Sequence, residues 1–122
     1  MLTFVISHNL TLASTQKVNA VLKNETQQKV KVRIESKSGY SVFGIAPRNV
    51  FTEYVDRTAR LTVMLQNGRA LLKSPLMERR DAESKFDRTH DAVYVRIQDN
   101  KIELIVPKDA RGWWSAGLPA RR

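Results

Sequence analysis

Residues 17–34 read KVNAVLKNETQQKVKVRI, two alternating runs joined by a short polar stretch. In the first run Val18, Ala20 and Leu22 share a face, and in the second Val30, Val32 and Ile34 do, which is the period-2 signature of half-buried strands. Asn24, Glu25 and Thr26, followed by two glutamines, supply the connection. The two runs are then either neighbouring antiparallel strands of one sheet or the link between two packed sheets. The outward side of the second run carries Lys29, Lys31 and Arg33. This basic stripe is a candidate protein-binding surface, weighed against the ordinary solvated strand face on which lysine discourages edge-to-edge pairing.

Working outward, Leu2 to Ile6 and a less regular run through Leu12 predict an edge strand pair interrupted at Ser7, His8 and Asn9. Beyond the central runs, Ser36 to Gly39 break the pattern, and Tyr40 to Phe43 resume it before Gly44 and Pro47, where a proline belongs at a strand end or bulge. Phe51, Tyr54 and Val55 fit helical spacing as well as a short strand. Ala59 to Leu65 is a strand with Leu61, Val63 and Leu65 on one face and Arg60, Thr62 and Met64 on the other, ended by Asn67-Gly68. A hairpin closes the pattern: Val93, Val95 and Ile97, a tight Asp99-Asn100 turn, then Ile102, Leu104 and Val106. Between Gly68 and His90 lies one long break in strand spacing, of the kind that is functional or mobile in a compact domain. Short strands with turn signals and almost no helical periodicity argue for an all-β, antiparallel β-sandwich of immunoglobulin-like type.

A chain of 122 residues is one domain of common size, and 42 % hydrophobic residues are enough for a core. No cysteine is present, which removes disulfides, thiolate metal sites and a cysteine nucleophile and suits a reducing compartment. The opening apolar run is too short and lacks the basic leader of a signal peptide, and no run reaches membrane-spanning length, so a cytoplasmic location is expected. The two glycosylation-like triplets at Asn9 and Asn24 carry no meaning in that setting. A formal charge of +9 favours an acidic partner, whether nucleic acid, an anionic membrane surface or an acidic protein. The 21 basic residues are spread along the chain, and no phosphate loop, aromatic-laced binding-sheet motif or zinc spacing accompanies them, so specific nucleic-acid recognition is not expected. Weak, salt-sensitive binding to polyanions follows from the charge alone.

An ordered set of pieces resembles the major sperm protein (MSP) domain family, which includes nematode sperm motility proteins and the VAMP-associated membrane proteins. The pieces are Leu2-x-Phe4, Leu22-x-Asn24-x-Thr26, Lys31-Val32-Arg33 leading to Tyr40-Ser41-Val42, Ile45-x-Pro47, Val63-Met64-Leu65-Gln66 and Val93-Tyr94-Val95. They span most of residues 2–106. The resemblance implies a seven-stranded immunoglobulin-like sandwich (MSP/PapD-like) over residues 1–110, with a long insertion at 68–91 and a basic, Trp-containing tail at 111–122. It implies a non-enzymatic protein without cofactor or metal, acting by protein–protein contacts. In the sperm branch such domains dimerise and build or regulate the filaments of sperm crawling, which implies a cytoskeletal location and partners among other MSP-domain or filament proteins. In the membrane-associated branch a basic face grips acidic peptides containing two phenylalanines. This chain departs from that second pattern at Ile34, Glu35 and Lys37 and again at Ala92 and Tyr94, and Glu35 would repel an acidic ligand.

Three further groupings combine residue types that can carry chemistry or binding. Asp87, His90 and Asp91 have the residue types of a metal or acid–base site, but no second histidine or cysteine cluster supports them, and a polar loop leading into a strand is the expectation. Trp113 and Trp114 beside Arg111 fit either a binding hot spot or a ring that covers an open end of the sandwich. Arg79 and Arg80 are a candidate electrostatic docking site, offset by Glu78, Asp81, Glu83 and Asp87, in a solvated loop or helical turn.

Overall fold

In the computed structural model of the protein, the described residues are 17–114. The expected strand pair at 2–12 and the tail from Ser115 onward lie outside them. Within them the chain forms β1 (Lys17–Asn24), β2 (Val30–Ser36), β3 (Gly39–Ile45), β4 (Val50–Asp56), β5 (Arg60–Met64) and β6 (Ala70–Lys73). A helical turn α1 (Asp81–Ser84), β7 (Phe86–Asp87), β8 (Ala92–Ile97), β9 (Ile102–Ile105) and a 3-10 turn (Pro107–Ala110) complete it. The all-β expectation holds.

The strands form two sheets. Sheet A has the order β4-β1-β8, with β7 and β9 both paired to the far side of β8, and sheet B has the order β3-β2-β5-β6. One core lies between them. It takes Val18, Ala20 and Leu22 from β1, Val93, Val95 and Ile97 from β8, and Val30, Val32, Ile34, Leu61, Val63 and Leu71 from sheet B. The alternation in residues 17–34 therefore marks the core faces correctly, and the polar stretch between the runs is the link between two sheets. Its anchor is Asn24, fully buried. The Asn24 amide donates to the carbonyls of Gln28 and Ile45, each at 2.8 Å, while its Oδ1 accepts from the Thr26 backbone N–H at 2.9 Å and hydroxyl at 2.7 Å. Such local side-chain bonds satisfy the turn's backbone groups where no ladder can.

Two expectations are corrected. The sandwich is not wholly antiparallel: β1 runs parallel to β8, from Asn19↔Ala92 to Asn24↔Ile97, and antiparallel to β4. Alternation reports which face is buried and says nothing of strand direction. The long break at 68–91 also contains structure: β6 pairs with β5 from Met64↔Ala70 to Leu61↔Lys73, α1 and β7 follow, and Leu76 and Met77 between them are buried in the core. Residues 51–55, whose spacing fits a helix as well as a short strand, are part of β4. The closing hairpin is present as β8 and β9, paired from Ile97↔Ile102, although Val106 falls beyond the strand.

Sheet A is covered on its outer side as well. Val21, Ala92, Tyr94 and Ile105 form a second cluster with Ala110 and Trp113. The 3-10 turn brings the chain across this face, and Trp113 meets Tyr94 edge-on at 5.9 Å between ring centroids. This double burial explains why β1 has five consecutive buried residues, including Asn19, whose amide donates to the carbonyl of His90 at 3.0 Å. No helix among the described residues is long and apolar enough to cross a membrane.

Candidate docking face

Among the described residues, nothing covers the outer side of sheet B, where alternate side chains of β2, β3, β5 and β6 are exposed. Strand register places Gly44, Lys31, Met64 and Ala70 in one row across the sheet, Val42, Arg33, Thr62 and Leu72 in the next, and Tyr40, Glu35 and Arg60 in the third. Of the five exposed large hydrophobic residues among those described, Tyr40, Val42, Met64 and Leu72 all stand on this one face. Exposed apolar side chains gathered on one sheet face, with cations among them, make this face the candidate interaction surface.

The cations differ in how free they are. The Arg33 guanidinium lies over the Tyr40 ring at 4.2 Å from its centroid and reaches the Glu35 carboxylate at 3.5 Å. Its charge is partly spent. Lys31 and Lys29 have no ion-pair partner among the described residues. Lys29 precedes β2, and its stem crosses Gly44 of β3: a Cβ built on Gly44 would stand 2.6 Å from the Lys29 Cε and 3.4 Å from its Nζ. The missing side chain at Gly44 thus makes room for Lys29 and carries its ammonium onto β3. A depression of about 520 Å³ opens there, lined by Lys29, Lys31, Val42, Phe43, Gly44 and Met64 among others.

Of the residues singled out from the sequence, the structure brings Lys29, Lys31 and Arg33 together. Arg79 and Arg80 are exposed but lie in the segment whose Leu76 and Met77 bond to Ala59 and Arg57, at the end of β5 away from Lys31, and Arg80 is paired with Glu78 at 3.3 Å. Trp113 and Trp114 belong to the opposite side of the molecule. Trp113 is inside the second cluster, covering a sheet face and not an open end of the sandwich, and is unavailable to a partner in this arrangement. What the sequence reading missed is the contribution of Tyr40, Val42, Gly44 and Leu72. Met64 was already on the outward side of its strand, and that was the available signal.

The polar segment from Asp87, the last residue of β7, to Asp91 turns the chain into β8 and carries a hydrogen-bond network. The Asp87 carboxylate accepts from the Tyr94 hydroxyl, pairs with His90 Nδ1 at 2.9 Å and accepts from the backbone N–H of Thr89 at 3.0 Å. The Trp114 indole N–H donates to the Tyr94 oxygen, and the His90 ring stacks on Trp114 at 4.5 Å. Burial pushes the Asp87 carboxyl up, yet the hydrogen bonds from Tyr94 and His90 outweigh it and hold the group below its ordinary value. Burial and the neighbouring carboxylate drive the Tyr94 phenol well above its ordinary value. The network fastens the segment after β9 to sheet A. No cluster of three or more metal-binding side chains occurs among the described residues.

No family model matches the chain, and no curated protein matches it. It is similar to a solved structure of a protein from Eubacterium rectale, determined by NMR, at 12 % identity and a TM-score of 0.47, over 75 % of this chain and 88 % of that one.

Proposed function

We propose that this protein is a non-enzymatic, MSP-type module that binds partner proteins through the outer face of sheet B, and that the segment it takes is acidic and partly apolar. One observation carries the reading: Lys29 and Lys31, without an ion-pair partner among the described residues, share a single sheet face with exposed Val42, Met64 and Leu72. Charge attracts and orients the partner, and apolar contact supplies the desolvated area. Glu35 does not stand at the centre of this face. It sits at the third row, beside Arg33 and across from Arg60, so it repels an acidic ligand less than its place in the sequence suggests.

The test is binding of a fluorescein-labelled acidic and apolar peptide by anisotropy, at two salt concentrations. The expected result is micromolar binding that weakens with salt and is lost in the Lys29→Glu/Lys31→Glu double variant. Binding unchanged in that variant would sink the reading.

A second reading, assembly with MSP-type filament proteins in a sperm motility cytoskeleton, is favoured by the same face, because Val42, Met64 and Leu72 are apolar area that a subunit contact would bury. Co-sedimentation with sperm filaments at low and moderate salt tests it. A protein that stays in the supernatant at both counts against it.

A further inference from the structure

Among the described residues sheet A ends in β4, the two-residue β7 and β9, and sheet B in β3 and β6, and these edge strands are not alike. β4 carries Glu53 and Asp56, β6 has only four residues and ends in Lys73, and β9 has four residues with Glu103. Charge and shortness are the usual means by which an edge strand is kept from pairing. β3 has neither protection. Its seven residues, GYSVFGI, contain no charge and no proline, and its register with β2 runs unbroken from Val30↔Ile45 to Ser36↔Gly39, without a bulge. Its other edge pairs with no strand among the described residues.

We propose that the partner segment binds as an added strand along this free edge of β3, with acidic side chains at alternate positions on the Lys29 side and apolar side chains between them. The proposal rests on the docking reading given above and specifies how the segment lies. In an added strand, successive side chains point to opposite faces of the sheet. Those on the outer face meet Tyr40, Val42 and Gly44, and at Gly44 they meet the ammonium that Lys29 lays across it. A carboxylate fits there. Those on the inner side meet Phe43, which is stacked on Phe51 at 4.1 Å and half-buried, so an apolar side chain fits. Further along that side Ser41 donates to the Glu53 carboxylate at 3.2 Å, which disfavours an acidic residue facing inward. At the Gly44 end the two sides of the edge therefore select opposite chemistries, a carboxylate outside and an apolar side chain inside, and the ligand is recognised there by a period-2 pattern.

The experiment compares two ten-residue peptides of identical composition, one alternating Glu with Val and Phe, the other carrying its glutamates in one block. Binding is read by anisotropy, and amide hydrogen exchange of the protein by NMR. The alternating peptide is expected to bind at least about tenfold tighter. It is expected to slow exchange at those amides of residues 40–44 that face away from β2, and to lose its advantage when its alternate backbone nitrogens are methylated. Equal binding of both peptides, lost in the Lys31→Glu variant but without protection of β3, overturns strand addition and leaves the docking reading standing. Absence of binding by either peptide overturns both.

Discussion

The Lys29 side chain occupies the space that a side chain at residue 44 would fill, with its Cε 2.6 Å from the position of a Cβ there. The colliding atom is the far end of a flexible chain, and Gly44 has no positive φ. Gly44→Val is therefore expected to leave the unfolding midpoint unchanged or slightly raised, since valine suits a strand better than glycine. It is expected to push Lys29 off β3 and to weaken acidic-peptide binding severalfold. Thermal unfolding and peptide titration of the same variant check both halves.

Asn24 has no exposed surface and serves four hydrogen-bonding groups in the link between the sheets. Asn24→Ala leaves buried carbonyls and an N–H unpaired and is expected to cost at least about 2 kcal/mol. Asn24→Asp is expected to be no better, because its carboxylate faces the carbonyls of Ile45 and Gln28. Urea unfolding of the two variants provides the comparison.

Trp113 is nine-tenths buried against sheet A, 6 % exposed. Trp113→Ala is expected to destabilise by about 3–5 kcal/mol. Trp114→Phe keeps the ring over His90 but loses the hydrogen bond to Tyr94, at a cost of about 1 kcal/mol. Denaturant titration followed by far-UV circular dichroism separates the two without relying on the tryptophan signal being changed.

The Asp87 network sets a pH window. The folded carboxyl titrates below its unfolded value, so its contribution is present above the ordinary carboxylate range of about 4 and is lost as pH falls through the folded value. The Tyr94 phenol titrates above its unfolded value, so its contribution is present below about pH 10 and disappears as pH rises through the folded value. Unfolding free energy against pH is expected to fall at both ends, and Asp87→Asn is expected to flatten the acid limb and lower the plateau. An acid limb unchanged by that substitution would count against the network.

Thr52 is buried and its hydroxyl has no hydrogen-bond partner among the described residues. Thr52→Val removes the unpaired group at nearly constant shape and is expected to stabilise by about 1 kcal/mol, read as a rise in the unfolding midpoint.

Much of the core was legible because alternation is a local property. Val18, Ala20 and Leu22, Val30, Val32 and Ile34, Leu61 and Val63, and Val93, Val95 and Ile97 all face inward as their spacing predicts. β6 was concealed because Leu71 points in and Leu72 points out, so adjacent leucines hide the alternation. The burial of Asn19 and Val21 was invisible because what covers their side of the sheet, Trp113 and the 3-10 turn, arrives from far along the chain. The basic stripe was legible, but the apolar partners of Lys31 come from β3, β5 and β6, and only register brings them beside it. The Lys29 stem resting over Gly44 is a side-chain path that no spacing rule encodes.

The parallel pairing of β1 with β8 has a consequence for how the molecule forms. β2 and β3 meet across a two-residue turn and β5 follows within the next twenty or so residues, about the span of the two strands in between, whereas β1 gains its second neighbour only with residues 92–97, late in the described segment. Closing so long a loop before its contacts repay the lost chain entropy makes folding slow, in the millisecond-to-second range of β-rich domains. During translation β1 can pair with β4 first, and its other edge then stays an open, apolar strand edge until β8 is made, the kind of transient edge that invites wrong pairing.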